Sequence, residues 1–301
     1  MRSVSEEVAG ERLDRAVARL FEWSRGRARR VIEIGGAYVQ GRRTRSQSRP
    51  VVAGEEIRVL WADPPDPEPE PLPESAVLLS ERGLVAIDKP AGVDAQAARH
   101  RVAGTLPDLV ARLLDLRRPP EPLHRLDRDT SGVMLMALDR AARSRFGTML
   151  LEGKVRKEYL ALVRGSPEGE GVIDAPLAPD PRRPGRWRIV EGGEGRSAKT
   201  RFHVLGASGG VSLVVLEPLT GRTHQLRVHC ASRGWPVLGD RLYSPLDVAA
   251  MAPRLCLHAR RLALPAGALG RPIVIEAPIP PALADILRSL ALPCEPDRDR
   301  S

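Results

Sequence analysis

Aromatic residues make up only 3% of the 301 positions, lysine occurs four times, and cysteine three times. The cysteines, Cys230, Cys256 and Cys294, are odd in number and far apart. They form no CxxC pair and no metal-ligand spacing, which argues against a disulfide framework and points to a reducing compartment. No apolar run approaches the length needed to span a bilayer. The first residues, "MRSVSEEVAGERLDR", carry no apolar signal core. The expectation is a soluble, cytoplasmic protein with no membrane partner and no metal.

What is abundant is arginine. Lys+Arg number 47 against 38 Asp+Glu, a formal net charge of +9. The planar guanidinium donates two parallel hydrogen bonds and suits phosphate, so a basic chain of this size reads first as a nucleic-acid or polyanion binder. A GC-rich genome would explain arginine in place of lysine, but not the excess of positive charge. With 42% hydrophobic residues the chain can bury a sizeable core, and its length suggests about two domains.

The clearest boundary is "WADPPDPEPEPLPESA", residues 61 to 76, proline-rich and acidic and expected to form an extended spacer. It divides a unit at 1–60 from a larger one at 78–290, with 61–77 as the linker and 291–301 as a frayed tail. In the small unit, "ERLDRAVARLF" places Leu13, Ala16, Val17, Leu20 and Phe21 on one helical face. "SRGRARRVIEIGG" predicts a second helix, with Ser24 as N-cap and an end at Gly35-Gly36. It carries Arg25, Arg29 and Arg30, candidate phosphate contacts, although a charge run is often only a solvated face. Short strands follow around a turn at Gln40-Gly41. This stretch resembles the small RNA-binding domain first described in ribosomal small-subunit protein four, at Arg12-Leu13-Asp14, Ser24-Arg25 and Gly54-Glu55-Glu56-Ile57. Its turn, Tyr38-Val39-Gln40-Gly41, departs from that domain's usual Val-x-Val-Asn-Gly.

The larger unit reads as many strands interrupted by a few helices, without strict βαβ alternation. That predicts an α+β domain on a mixed, mainly antiparallel sheet flanked by helices. "GVMLMALD" is a buried strand and "RAARSRFGTMLLEG" a helix. In "KVRKEYLALVRG", Val155, Tyr159, Ala161 and Val163 share one side of a strand. "VSLVVLEPLTGRTHQLRVH" is a strand, a turn at Thr220-Gly221, and an alternating segment in which Leu226 and Val228 oppose Gln225 and Arg227.

"PLHRLDRDTSGV", residues 122 to 133, concentrates reactive side chains. A carboxylate beside guanidinium groups stays ionised at neutral pH and can act as nucleophile or base. Asp127, between Arg125 and Arg128, is favoured over Asp129. Asp129 precedes Thr130-Ser131-Gly132 and suits a turn or cap. His124 has no second ligand at metal spacing and reads as structural. In "LTGRTHQLRVH", Arg222 is a candidate partner for Asp127 or for a phosphate, with a plain surface arginine as the alternative. His224 and His229 are candidate bases or simple backbone hydrogen-bonders. Tyr159, one of three tyrosines, is either core or a stacking platform for a base.

These blocks together resemble the RluA-type family of RNA pseudouridine synthases. The signature H-R-L-D-x-x-T-S-G is matched at His124, Arg125, Leu126, Asp127, Thr130, Ser131 and Gly132. Supporting blocks follow the family's order: Lys89-Pro90-Ala91-Gly92, Lys157 to Val163, Thr220 to His229, and Gly239 to Tyr243. The match covers roughly residues 80 to 280. It departs at "GVDAQAARH", where many members have an apolar-His-Pro sequence.

The resemblance implies the pseudouridine synthase fold, together with a small N-terminal α/β RNA-binding domain. It implies isomerisation of uridine with Asp127 as nucleophile, attacking carbon 6 of the uracil or carbon 1′ of the ribose. Arg222 would pair with Asp127. Tyr159 would stack on the uracil and help remove the carbon-5 proton. Leu226 would contact the ring, and Arg125 would fill the place of the everted nucleotide. Neither cofactor nor metal is required. The implied partner is RNA, most often ribosomal RNA of the large subunit where the N-terminal domain is present, acted on by a monomer. Transfer RNA as substrate, a non-catalytic RNA-binding or ribosome-assembly protein on the same fold, and a metal-dependent hydrolase using His124 and Asp127 are the rival readings.

Overall fold

The structure, a computed structural model, describes residues 1–33, 35–60, 69–96, 104–191 and 193–293. Most of the expected linker (61–68) and nearly all of the expected tail, with Cys294, lie outside the described residues. Contacts divide the chain into two units, Met1–Pro71 with Gln96–Leu109, and Leu72–Ala95 with Val110–Ser301.

The first unit begins with β1 (Arg2–Ser3), α1 (Leu13–Leu20) and α2 (Arg25–Glu33). It continues with β2 (Ala37–Val39), β3 (Arg42–Thr44) and β4 (Glu56–Val59). The strands form one sheet in the order β1-β4-β2-β3. β2 and β3 are joined at Gln40 and Gly41, both at positive φ (49° and 72°), the geometry of a tight hairpin turn. The apolar face expected of α1 is the buried one: Leu13, Ala16 and Val17 join Ala28, Ile32, Val39 and Ile57 in a core. Ser24 starts α2 by accepting from the Arg27 amide at 3.2 Å.

The second unit is built on a ten-stranded sheet whose main path runs β10-β13-β14-β9-β15-β8-β6-β5. In chain order the strands are β5 (Val77–Glu81), β6 (Leu84–Lys89), β7 (Glu121–Pro122), β8 (Ser131–Ala137), β9 (Arg156–Arg164), β10 (Glu170–Asp174), the hairpin pair β11 (Leu177–Pro179) and β12 (Trp187–Ile189), β13 (Lys199–Ser208), β14 (Val211–Pro218), β15 (Leu257–Leu264) and β16 (Ile273–Glu276). Its helices are α4 (Arg140–Leu151), α5 (Gln225–Ser232), α6 (Leu246–Ala250) and α7 (Pro281–Ser289), while α3 (Leu106–Leu113) falls across the division between Leu109 and Val110. β8 and β15 pair in parallel; the other pairings of the sheet are antiparallel. The sheet is therefore mixed and mainly antiparallel, as the sequence predicts.

Seven consecutive buried residues in β8 explain its unbroken apolar run, since a strand covered on both faces has no polar side to show. Leu84, Ala86, Val133 and Leu135 on one face of the sheet pack with Ala142 and Phe146 of α4. α4 starts at Asp139, whose carboxylate accepts from the Ala142 amide at 2.8 Å, an N-cap.

One expectation is corrected. The alternating segment after the Thr220-Gly221 turn is not extended; Gln225–Ser232 is helix α5. Gln225 to Cys230 are all buried, so no apolar stripe of helical period could show in the sequence. The buried polar residues among them are satisfied by partners far along the chain.

Candidate active site

The segment around Asp127 is a loop clamped from beneath. The Thr130 amide donates to the Asp127 carbonyl at 3.1 Å, closing a turn over Asp127–Thr130. The Arg128 carbonyl inside this turn accepts from the Gly92 amide at 2.8 Å and from Lys89 Nζ at 2.8 Å. Lys89 is fully buried and donates twice more, to the carbonyls of Pro90 and Val93. An ammonium has three hydrogens, and the cage uses all of them. Burial pulls Lys89 down to about 7, against the charges of Asp129, Asp94 and Asp127, which favour the protonated form.

Thr130-Ser131-Gly132 locks the other end. The Ser131 hydroxyl lies 2.8 Å from His258 Nδ1 and accepts from Arg254 at 2.7 Å. Gly132 has φ 112°, and a Cβ there would lie 2.2 Å from the Ala259 carbonyl oxygen. Only glycine lets β8 approach β15 so closely. His124 is structural: its Nε2 accepts from the Leu135 amide at 3.0 Å, and burial, aided by Lys157, drops it to about 3.

Asp127 faces a cavity of about 1050 Å³. Its carboxylate, 20% exposed, accepts from Arg227 Nη1 at 3.2 Å. Arg227 is held in turn by both carboxylate oxygens of Asp240, each at 2.7 Å. Asp240 is itself pinned by the Leu242 and Tyr243 amides. Burial works against the charge on Asp240, but these donors, Arg227 first, hold its carboxyl below the ordinary range. His224 sits at the start of α5 with φ 56° and places Nε2 3.9 Å from Asp127. Its Nδ1 is 2.7 Å from the Tyr243 hydroxyl, and burial lowers its pKa against the opposing charge of Asp127.

Leu126, Tyr159, Leu226 and Leu257 make the apolar side of the same cavity. Tyr159 stands on β9 between Leu216 of β14 and Ala259 of β15. Burial, and then the charge of Asp127, push its hydroxyl well above the usual range, so it rests as the neutral phenol. Among the described residues no group of three His, Cys, Asp or Glu side chains could hold a metal ion. Burial raises both Cys230 and Cys256 to about 12.

Asp127, Tyr159, Arg125, Leu226 and Arg222 all line the cavity; Asp129 does not. The expected Asp127–Arg222 pair is absent. Arg222 Nε donates to the Ser197 carbonyl at 2.9 Å, and Arg227 takes the place beside Asp127. The helical path of α5 is the reason: it turns Arg227 back toward the cavity floor, which an extended segment would not do. The sequence carried a signal for Arg227 only in its spacing to Asp240, two charged residues in matching blocks. Arg125 Nη2 donates to the Thr223 hydroxyl at 3.0 Å. His229 bonds Thr200 Oγ1 and the Ala175 carbonyl, a structural role. In the first unit, Arg25 and Arg29 converge with Arg12 on the buried carboxylate of Asp14, at 3.1, 2.9 and 3.1 Å. Arg30 lies in α2, and its side chain is outside the described residues.

A mixed sheet carrying a clamped aspartate, paired with arginine at the floor of a basic-rimmed cavity, matches a known class. Residues 83–232 fit the family model described as RNA pseudouridylate synthase. The ribosomal large subunit pseudouridine synthase D of Nitrosomonas europaea is 33% identical over 96% of this chain and 87% of its own length. The dual-specificity RNA pseudouridine synthase RluA of Escherichia coli K12 is 36% identical over 68% of this chain and 94% of its own length. Among solved structures, human RNA pseudouridylate synthase domain containing 4 has a TM-score of 0.60 at 28% identity, over 72% of this chain and 93% of that one. The chain belongs to the RluA-type family of RNA pseudouridine synthases. It is an isomerase whose partner is RNA.

Proposed function

We propose that the chain converts uridine to pseudouridine in large-subunit ribosomal RNA, with Asp127 as nucleophile. The observation that carries the reading is the ion pair between Asp127 and Arg227 on the cavity floor. Arg227 lies against the carboxylate and orients it, and Asp240 removes the freedom of the guanidinium. Neither carbon 6 of uracil nor carbon 1′ of ribose is reachable inside a stacked helix, so the nucleotide must be everted, at a cost of a few kcal/mol. Tyr159 and Leu226 offer the ring its apolar faces, and Arg125 occupies the gap in the RNA.

After Asp127 attacks, the bond from nitrogen 1 to carbon 1′ breaks and the base turns. Carbon 5 then bonds to carbon 1′ and loses its proton, and the carboxylate is released unchanged. Product and substrate have the same atoms, so no co-reactant is consumed. The neutral resting phenol of Tyr159 is not itself a ready base; any part it takes in moving the carbon-5 proton passes through its hydroxyl.

The choice of ribosomal RNA is supported by the Nitrosomonas relative, whose match extends through nearly the whole chain, whereas that of the dual-specificity relative covers about two thirds. In this reading residues 1–60 are an RNA-binding domain of the ribosomal-protein-four type, offering Arg25, Arg29 and Arg30 to phosphate. Residues 61–77 link it to a catalytic domain at 78–290, 291–301 form a tail, and the protein works as a cytoplasmic monomer. The test is pseudouridine mapping in cells lacking the gene, complemented with wild type or Asp127→Asn. Wild type alone should restore the missing sites, and these should fall in large-subunit ribosomal RNA. Restoration by Asp127→Asn would remove the nucleophile assignment, and sites confined to transfer RNA would remove the substrate assignment.

A further inference from the structure

The cavity is larger than an everted uridine requires. At about 1050 Å³ it reaches the upper end of the range for sites that enclose whole ligands, roughly 300–1000 Å³, while a base is only part of such a ligand. Seven arginine and lysine residues line it against three acids. Two of these cations, Arg140 and Arg143, stand on one wall, the outward face of α4. Arg140, Arg143, Ser144, Gly147, Thr148 and Leu151 line the cavity, and their spacing of three and four puts them on a single helical stripe. The opposite stripe, Ala142 and Phe146, is buried in the core.

Gly147 is the informative member. It stands in the interior of a twelve-residue helix, where glycine is destabilising relative to alanine. No packing demands it, because a Cβ built there would meet nothing within 4 Å. What glycine leaves at this point is room in the cleft. Arg143 pairs with Glu121 at 3.0 Å, both side chains about half exposed or more, a pairing too weakly held to compete with phosphate. Leu151 is 90% exposed at the end of the stripe, an apolar surface at the rim of a basic cleft.

We propose that this stripe of α4 seats the RNA strand flanking the everted uridine. Arg140 and Arg143 grip its phosphates, Gly147 gives the backbone close access, and Leu151 meets a neighbouring base. The stripe is about 16 Å long at 1.5 Å per residue, enough for a few nucleotides of single strand. The proposal rests on the reading that the Asp127 end of the cavity receives the uridine, and it adds where the rest of the strand lies.

Binding, read without turnover, tests it. A fluorescein-labelled dodecamer of oligouridylate is titrated with the full-length protein at several potassium chloride concentrations. Arg140→Gln/Arg143→Gln should reduce the slope of log affinity against log salt by about 1.4, at roughly 0.7 per lost single-strand phosphate contact. Arg145→Gln, on the same helix but outside the cleft, should leave the slope unchanged. Gly147→Gln should melt no lower than wild type yet bind at least tenfold more weakly. An unchanged slope in the double variant, or a wild type that does not bind the dodecamer, overturns the proposal. A wild type that binds with these responses but forms no pseudouridine in ribosomal RNA would instead overturn the functional reading and leave the strand seat standing.

Discussion

Two arginines five residues apart have opposite roles. Arg227 is 5% exposed and bridges Asp127 to Asp240, which is 1% exposed. Arg222 is only partly buried, and its hydrogen bond to a backbone carbonyl lies at the surface. Removing one partner of a buried ion pair strands the other, at a cost of about 3–5 kcal/mol, whereas surface changes stay within about 0.5 kcal/mol. Arg227→Gln should therefore lose several kcal/mol in chemical denaturation and show no measurable pseudouridine formation. Arg222→Gln should unfold like wild type. Equal stability of the two variants would contradict the pairing.

At the scale of elements, the reactive turn owes its shape to neighbours rather than to its own residues. Lys89 and Gly92 hold the Arg128 carbonyl, and Ser131 and Gly132 fasten the strand behind it. The first unit uses the same device, a buried charge satisfied from several sides. Burial alone would raise the pKa of Asp14, but hydrogen bonds from Arg29, Arg12 and Arg25 bring it well below its ordinary 3.8. A carboxylate depressed in the folded state stabilises fully above the unfolded value and stops doing so as the pH falls through the folded one. The packing of α1 against α2 should thus be at full strength at neutral pH and weaken in acid below about 3.8. Hydrogen exchange of α1 and α2 amides in the intact protein would show it. Asp14→Asn should lose roughly tenfold or more in protection already at pH 7, since hydrogen bonds to a charged acceptor are the strong ones. It should also lack the further drop in acid.

For the whole molecule, the small basic unit and the basic cleft each offer cations to one polyanion. Counterion release makes such contacts count directly in the salt dependence. Deleting residues 1–60 should weaken RNA binding and flatten its dependence on salt, while Asp127→Asn should leave both nearly as they are. An unchanged slope after the deletion would argue against RNA contact by α2.

Much of this was legible in the residues. The seven matched positions around Asp127 fall within nine consecutive residues, 124–132, so local order alone exposes them. The buried strand β8 and the helix α4 follow from apolar runs and period. The course of Gln225–Ser232 was not legible. A helix buried on every side shows no stripe, and its Leu-Arg-Val alternation imitates a strand. Chemical identity at single positions, aspartate, tyrosine, arginine, is therefore what the sequence by itself determined. Which arginine meets the aspartate was decided only in three dimensions, because an ion pair between residues 100 positions apart depends on how the backbone turns between them, and that turn is imposed by buried partners rather than by local preference.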